Sequence, residues 1–380
     1  HGRQSPHAGA EPMNRPIRLG MVGGGEGAMI GNVHRIAARL DGRFDLVAGA
    51  LSSDEARAAE SARALGITRS YGDFRQMARD EAARPDGIEA VSVCTPNHLH
   101  EPVSRAFLEQ GIHVICDKPM TATLDQAQAL ADLAGRSDAL FILTHNYSAY
   151  PQIRQARAMI ARGDLGTLRL VQVEYAQDWL TQDTDSKQAA WRGDPERAGA
   201  GGAIGDIGTH AFQLARFVTG ELPDRLAADL TSFVPGRRLD DNAHILLRYA
   251  SGAKGMLWAS QVAPGTENGL RLRVYGDKGG LEWQHDTPET LRYTPFGKPA
   301  QILRRAGPGS TQDGSRVPPG HPEGYLEGFA NLYAEAAQAI RSGTMPDTLP
   351  GIRDGLEGLQ FIDACIRSNA ADAAWVQVTP

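Results

Sequence analysis

Three side chains in this sequence have the types and spacing to move a proton. Asp206 and His210 stand four residues apart in "GAGGAIGDIGTHAFQLARF", so a helix would present them on one face. A carboxylate beside an imidazole suits proton transfer. Histidine is the usual base, and the carboxylate can orient it or hold a hydroxyl. The glycines ahead of the pair let backbone approach another group closely. The pair by itself is ambiguous, because the same spacing occurs in surface pairs and in partial metal sites. The third side chain is Lys118, in "VICDKPMTAT" (114–123). An apolar run stops at Asp117, Lys118 follows, and Pro119 locks the next backbone position. An ammonium beside a hydroxyl stabilises alkoxide character, and a partly buried lysine can relay a proton. A lysine at a strand end can equally be a solvated surface group.

Strands and helices must hold these residues, and the first half of the chain supplies an alternation of the two. Candidate strands at 17–25, 44–51, 88–95, 113–117 and 140–146 are separated by helical patterns at 32–40, 53–66, 101–111 and 124–135. Such alternation predicts a parallel sheet covered on both faces, with ligands at the carboxyl ends of its strands. Thr95–Asn97, Asp117–Pro119 and His145–Tyr147 fall at those ends.

The first strand runs into Gly23-x-Gly25-x-x-Ala28, with Met29 and Ile30 opening the next helix and Gly31 as an alternative third glycine. A tight turn, close backbone approach and a helix N-terminus together suit a pyrophosphate. At the end of the second strand Ser52 stands where an acidic residue would hold the adenosine ribose. Ser53 and Arg57 lie close by, and a small polar residue with an arginine could admit a 2′-phosphate. Asp54 could be a helix cap and nothing more. NAD and NADP are therefore both open as cofactor.

After residue 150 the period changes. A helix at 151–166 is followed by stretches of period two at 168–179, 244–250, 253–262, 270–283 and 289–294, joined by turns containing glycine. A helix at 201–220 interrupts them, 296–320 reads as a loop, and helices at 323–343 and 352–369 close the chain. The expected class is α/β: an N-terminal Rossmann doubly wound parallel sheet, then a C-terminal α+β domain with a large open, mostly antiparallel sheet. The expected divisions are a disordered lead-in or appended remnant over 1–14, a dinucleotide domain over 15–146, and a substrate and oligomerisation domain over 147–380. An open sheet needs a cover for one face, so a homodimer or homotetramer is expected.

Composition narrows the partners. A formal net charge of -6 with no dense Lys/Arg block argues against nucleic acid. No apolar run approaches the roughly 20 residues of a membrane helix. The three cysteines, Cys94, Cys116 and Cys365, include no Cys-x-x-Cys, so no metal site is expected and a reduced, cytoplasmic setting fits.

Together these pieces resemble the Gfo/Idh/MocA oxidoreductases, the group of glucose–fructose oxidoreductase and inositol dehydrogenase. The resemblance runs from about Ile17 to the last helix. It rests on "GMVGGGEGAMIGNVHR" (20–35), "VSVCTPNHLHEPVSRAFLEQGIHVICDKPM" (91–120), "WRGDPERAGAGGAIGDIGTHAFQLARF" (191–217) and "VYGDKGGLEW" (274–283). Family members usually carry Glu-Lys-Pro where this chain has Asp117-Lys118-Pro119, and the peptide before such a proline is often cis. The resemblance implies that Lys118 reaches the reacting carbinol, that Asp206 binds substrate hydroxyls, and that His210 is the acid/base sharing the proton. It implies that Pro96 and Asn97, beside Thr95, line the nicotinamide ribose, with His100 opening the following helix. Asn146 and Tyr147 would flank the cleft, and Trp191 and Arg192 would reach substrate from a loop. His34 is expected to hold the glycine-loop helix. The implied activity is reversible, NAD(P)-dependent oxidation of a secondary hydroxyl of a sugar, sugar derivative or cyclitol to a ketone. A glycosidase using transient oxidation and a non-enzymatic NAD-binding regulator are the alternatives.

Overall fold

The computed structural model describes residues 15–182, 196 and 199–379. Six strands form the first sheet: β1 (Ile17–Gly23), β2 (Phe44–Ala50), β3 (Arg69–Ser70), β4 (Ala90–Cys94), β5 (His113–Cys116) and β6 (Phe141–Leu143). Their order is β3-β2-β1-β4-β5-β6, and every pairing is parallel. The helices between them are α1 (Met29–Leu40), α2 (Glu55–Ala64), α3 (Phe74–Ala83), α4 (His100–Leu108) and α5 (Leu124–Ala134). Every residue of β4 is buried, as a central strand covered on both faces requires. The helix starts follow side-chain capping. Asp54, Asp73 and Thr123 each accept a hydrogen bond from an amide of the first turn. The strand order reverses between β1 and β4, which opens a crevice above their carboxyl ends.

Helix α6 (Pro151–Ala161) leads into the second sheet. Its strands are β7 (Leu168–Ala176), β8 (Pro223–Thr231), β9 (Asn242–Tyr249), β10 (Lys254–Ser260), β11 (Gly269–Gly276), β12 (Gly279–Gln284), β13 (Thr290–Pro295), β14 (Gln301–Arg304) and β15 (Val376–Gln377). They lie in the order β14-β13-β12-β11-β7-β10-β9-β8-β15. Only the β7–β10 pairing is parallel among them. Helices α7 (Thr209–Thr219), α8 (Tyr325–Ser342) and α9 (Ile352–Ala370) complete the described chain. No described helix is long and apolar enough to cross a membrane.

The sequence reading assigned nothing to β3, α3 or β15, and three further features depart from it. Strand β8 was not anticipated, because "LAADL" has helical propensity. Pairing to β9 and β15 and packing by α9 override that propensity. The 296–320 segment is not a plain loop, since it contains β14 and is tied down at several points. Arg305 is 3% exposed, pairs with Glu289 and donates to the carbonyls of Val317 and His321. Arg316 pairs with Asp41 at the end of α1. The helix read at 201–220 opens instead with a π-helical turn, Ile204–Gly208, before α7 begins.

Helix α8 packs against α1, so the last third of the chain returns to the first sheet. Gly328 on α8 makes a close approach possible. A Cβ there would lie 2.3 Å from the ring of Tyr150, whose hydroxyl is bonded to His285. Alanine usually gains about 1 kcal/mol over glycine inside a helix. Overpacking a fixed ring costs about 1–3 kcal/mol, so the clash decides the sign. Gly328→Ala is therefore expected to lower stability by about 1–2 kcal/mol, read as an earlier urea midpoint at unchanged slope.

Candidate active site

The crevice of the first sheet and the facing end of the second enclose one cavity of about 740 Å³. Gly27, Ala28, Met29 and Ile30 line one end of it. Ala28 is the N-cap of α1 and gives no side-chain cap, and the first turn holds no acidic residue, which leaves that helix end suited to an anion. Gly23 and Gly24 adopt φ of +71° and +64°. A Cβ on Gly31 would lie 2.2 Å from the Gly24 carbonyl oxygen, so Gly31 is the glycine that lets loop and helix touch. The guanidinium of Arg35 donates to that same carbonyl. Gly23 and Gly25 shape the turn from behind and do not form the cavity wall. This cradle fits a dinucleotide pyrophosphate.

Thr95, Pro96 and Asn97 form the adjoining wall, above β4. Ser52, Ser53 and Arg57 lie outside it. The Ser52 hydroxyl accepts from the Asp54 amide at 3.1 Å, and Asp54 accepts from the Arg57 amide at 2.9 Å, so both side chains serve the start of α2. His100 is also off the wall. Its ring nitrogens lie 2.5 Å from the Pro119 carbonyl and 2.9 Å from the Thr95 carbonyl, tying the two strand-end loops together. Burial lowers its pKa although both carbonyls pull the other way.

At the other end Lys118, Asp206 and His210 meet. Lys118 follows β5, and its bond to Pro119 is cis. Its ammonium donates to the backbone carbonyl of Asp206 and sits 3.2 Å from Asp206 Oδ1. Gln261 Nε2 donates to Oδ2 at 2.8 Å, so each carboxylate oxygen has a donor. The π-helical turn carries Asp206, and His210 lies one turn on in α7. The His210 ring packs edge-on to Tyr147 and His145, with centroids at 5.0 and 5.5 Å. Burial, then the charge of Lys118 and the neighbouring His145, push its pKa well below the usual histidine value. His210 is thus neutral at neutral pH and able to accept a proton. Burial and Lys118 likewise lower His145, to about 3.

Asn146 and Tyr147 line the cavity beside these groups. Trp191 and Arg192 lie outside the described residues. The sequence reading did not single out the remaining wall. Tyr175, Gln177, Trp179, Glu267 and Asn268 face the catalytic end from the second sheet, with Tyr325 from α8. The Tyr175 hydroxyl donates to Asn268 Oδ1 at 2.5 Å, and Asn268 Nδ2 donates to the Tyr147 oxygen at 3.1 Å. Gln177 donates to the same Asn268 oxygen at 3.1 Å. Period-two patterning assigns these residues to strands without saying which strand end meets the crevice. Among the described residues, no group of three or more His, Cys, Asp or Glu side chains could hold a metal ion.

An NAD-type crevice joined to a lysine, carboxylate and imidazole site defines a class of pyridine-nucleotide oxidoreductase. Residues 17–145 match the model of the oxidoreductase family with an NAD-binding Rossmann fold, and 153–282 match the GFO/IDH/MocA C-terminal domain. The chain belongs to the Gfo/Idh/MocA oxidoreductase family. The crystal structure of an oxidoreductase from Sinorhizobium meliloti is 55% identical, with TM-score 0.89 over 96% of this chain and 100% of that one. An inositol dehydrogenase homologue from Azotobacter vinelandii, complexed with NADH and myo-inositol, is 38% identical, with TM-score 0.89 over 96% and 98%. Levoglucosan dehydrogenase of Pseudarthrobacter phenanthrenivorans is 28% identical over 95% of this chain and 98% of its own.

The two buried histidines of the Lys118 end, His145 and His210, set an acid limit. A histidine held neutral in the fold has a folded pKa below its unfolded value near 6.5, so the unfolded chain takes up the proton first as pH falls. Stability is then lost from about pH 6.5 downward, and for His145 the loss continues to about pH 3. His145→Leu should flatten the fall of melting temperature between pH 6.5 and 4, removing a slope of up to about 1.4 kcal/mol per pH unit. An unchanged slope in thermal melts would show that His145 does not enter the fold uncharged.

Proposed function

We propose that the protein is an NAD(P)-dependent dehydrogenase. It oxidises a secondary hydroxyl of an uncharged sugar, sugar derivative or cyclitol to a ketone, reversibly. The observation that carries this reading is the meeting of Lys118, Asp206 and His210 at one end of a cavity whose other end is the glycine loop. A carbinol held there would set its hydroxyl between the Lys118 ammonium and the His210 ring. Neutral His210 takes the hydroxyl proton. The Lys118 ammonium stabilises the negative charge that grows on the oxygen. Asp206, held by Lys118 and Gln261, accepts a hydrogen bond from a neighbouring hydroxyl and orients the ring. An oxidised nicotinamide, held by the glycine loop and the Thr95–Asn97 wall, would supply the hydride acceptor, so that loss of the carbinol hydrogen with its electron pair leaves the ketone.

The wall supports an uncharged substrate. Lys118 is the only Lys or Arg among the described lining residues, against the carboxylates of Asp117, Asp206 and Glu267. A phosphate or carboxylate on the substrate would find repulsion there. NAD is the preferred cofactor reading. Ser52, with no carboxylate in its place at the end of β2, leaves NADP as an acceptable second. The free cysteines fit work in the cytoplasm.

Measured by NAD(P)H absorbance against neutral polyols, inositols and anhydrosugars, the wild type should turn over and Lys118→Ala should lose about a hundredfold or more in kcat. Sugar phosphates should be poor substrates. Cofactor binding without turnover of any polyol would sink the reading.

We further propose that the open face of the second sheet is covered by a second copy of the chain. Leu170, Leu246 and Met256 are 46, 52 and 46% exposed on the neighbouring strands β7, β9 and β10. Light scattering should give an oligomer for the wild type and a smaller species for Leu246→Asp/Met256→Asp. A wild-type monomer would refute it.

A further inference from the structure

Beneath the catalytic end lies a chain of buried polar groups that the proposed reaction does not use. His34, on α1, is fully buried. Its Nδ1 is 2.8 Å from the hydroxyl of Tyr333 on α8, and that hydroxyl is 2.5 Å from Ser92 Oγ on β4. Its Nε2 has no hydrogen-bond partner among the described residues and points at Asp117 Oδ1, 3.7 Å away. Thr144 Oγ1 donates to the same Asp117 oxygen at 3.0 Å. Asp117 is the residue before the catalytic lysine and lines the cavity.

Lys118 therefore has two carboxylates within its reach. Asp206 lies across the cavity, and Asp117 is its own chain neighbour, close enough for the lysine's charge to act on it. The ammonium serves the reaction only when it stays with Asp206. A desolvated carboxylate with no other cation would compete for it.

We propose that His34 is a positioning residue that engages the Asp117 carboxylate from below, leaving the Lys118 ammonium to Asp206 and the substrate. This role rests on the dehydrogenase reading given above. The surroundings of both groups agree with it. Burial alone would raise Asp117, but His34 first, then Lys118 and His100, hold it well below the usual carboxylate range. Burial alone would lower His34; the Asp117 carboxylate facing it from the end of β5 raises it, and Cys94 on β4 and the Tyr333 hydroxyl on α8 close its other sides. The edge of the Phe329 ring closes the remaining side, at a centroid distance of 5.2 Å. An imidazolium there donates from Nδ1 to Tyr333, which donates on to Ser92, and directs its second N–H at Asp117.

Two measurements test the proposal. The first does not depend on turnover: nitrogen-15 NMR of the histidine rings, with His34 assigned by its loss in His34→Gln. His34 is expected to be an imidazolium at pH 7.5 in the wild type and to lose its proton at lower pH in Asp117→Asn. A neutral His34 at pH 7.5 in the wild type overturns the proposal. The second is kinetic. His34→Leu should bind NADH within about threefold of wild type yet lose tenfold or more in kcat, and His34→Leu/Asp117→Asn should recover most of that loss. A loss from disturbed packing of α1 would not be recovered by removing a charge, so a double variant no faster than the single overturns the proposal. So does a folded His34→Leu or His34→Gln with wild-type kcat. If the ring is an imidazolium but the wild type turns over no polyol, the dehydrogenase reading fails while the assignment of His34 to Asp117 stands.

Discussion

The site depends on one ammonium that joins two separately built halves. Lys118 extends from a loop after β5 of the parallel sheet, and it reaches both the backbone carbonyl and the carboxylate of Asp206 on the second domain's π-helical turn. Both side chains are largely shielded, at 14 and 20% exposure. Partial burial of such a pair gains little net stability, because desolvation offsets most of the attraction. Its presence is better explained by chemistry. A cation held in a water-poor cleft stabilises developing negative charge far more than one in open solvent.

The same cation separates the roles of its neighbours. His210 and His145 sit close to Lys118, and burial together with its charge keeps both rings neutral. A neutral ring beside a fixed cation can act as base while the cation acts electrostatically. This division arises from position rather than residue type. His34, on the far side of Asp117 and shielded from solvent, is driven the opposite way by the groups around it. Histidines within one region are thus pushed in opposite directions because different partners face them.

Much of this was legible in the sequence, and the limits of legibility are physical. The strand–helix alternation before residue 150 carries its own period, so the parallel sheet could be read directly. The glycine loop and Asp117-Lys118-Pro119 could be placed at strand ends because the apolar runs stop there. β8 could not, since its short "LAADL" stretch is overridden by partners far away in sequence. The same holds for the cavity wall. Gln261, Asn268 and Tyr175 become neighbours of Asp206 and Tyr147 only when segments 28 to 121 residues apart in sequence are brought together by the second sheet. His34 was readable as a support for the glycine-loop helix, but its partner Tyr333 is 299 residues away.

That distance explains why the end of the chain belongs to the cofactor half as much as to the sheet it follows. Helix α8 brings Tyr333 to His34 in the middle of α1, and the segment before it brings Arg316 to Asp41 at the C-terminal end of α1. Helix α1 is thereby held at its middle by Tyr333 and at its C-terminal end by Arg316, while its uncapped N-terminus faces the cavity. A shift of α1 would move the glycine loop through the Gly24–Gly31 contact, and would move Asp117 through His34. The anion cradle and the carboxylate that precedes Lys118 are therefore both coupled to one helix, the first through Gly31 and the second through His34. Rigidity of this kind is what hydride transfer requires, because two bound molecules must meet at a fixed distance and angle. The geometry at the catalytic end is consequently set as much by packing behind the cofactor crevice as by the residues that face the substrate.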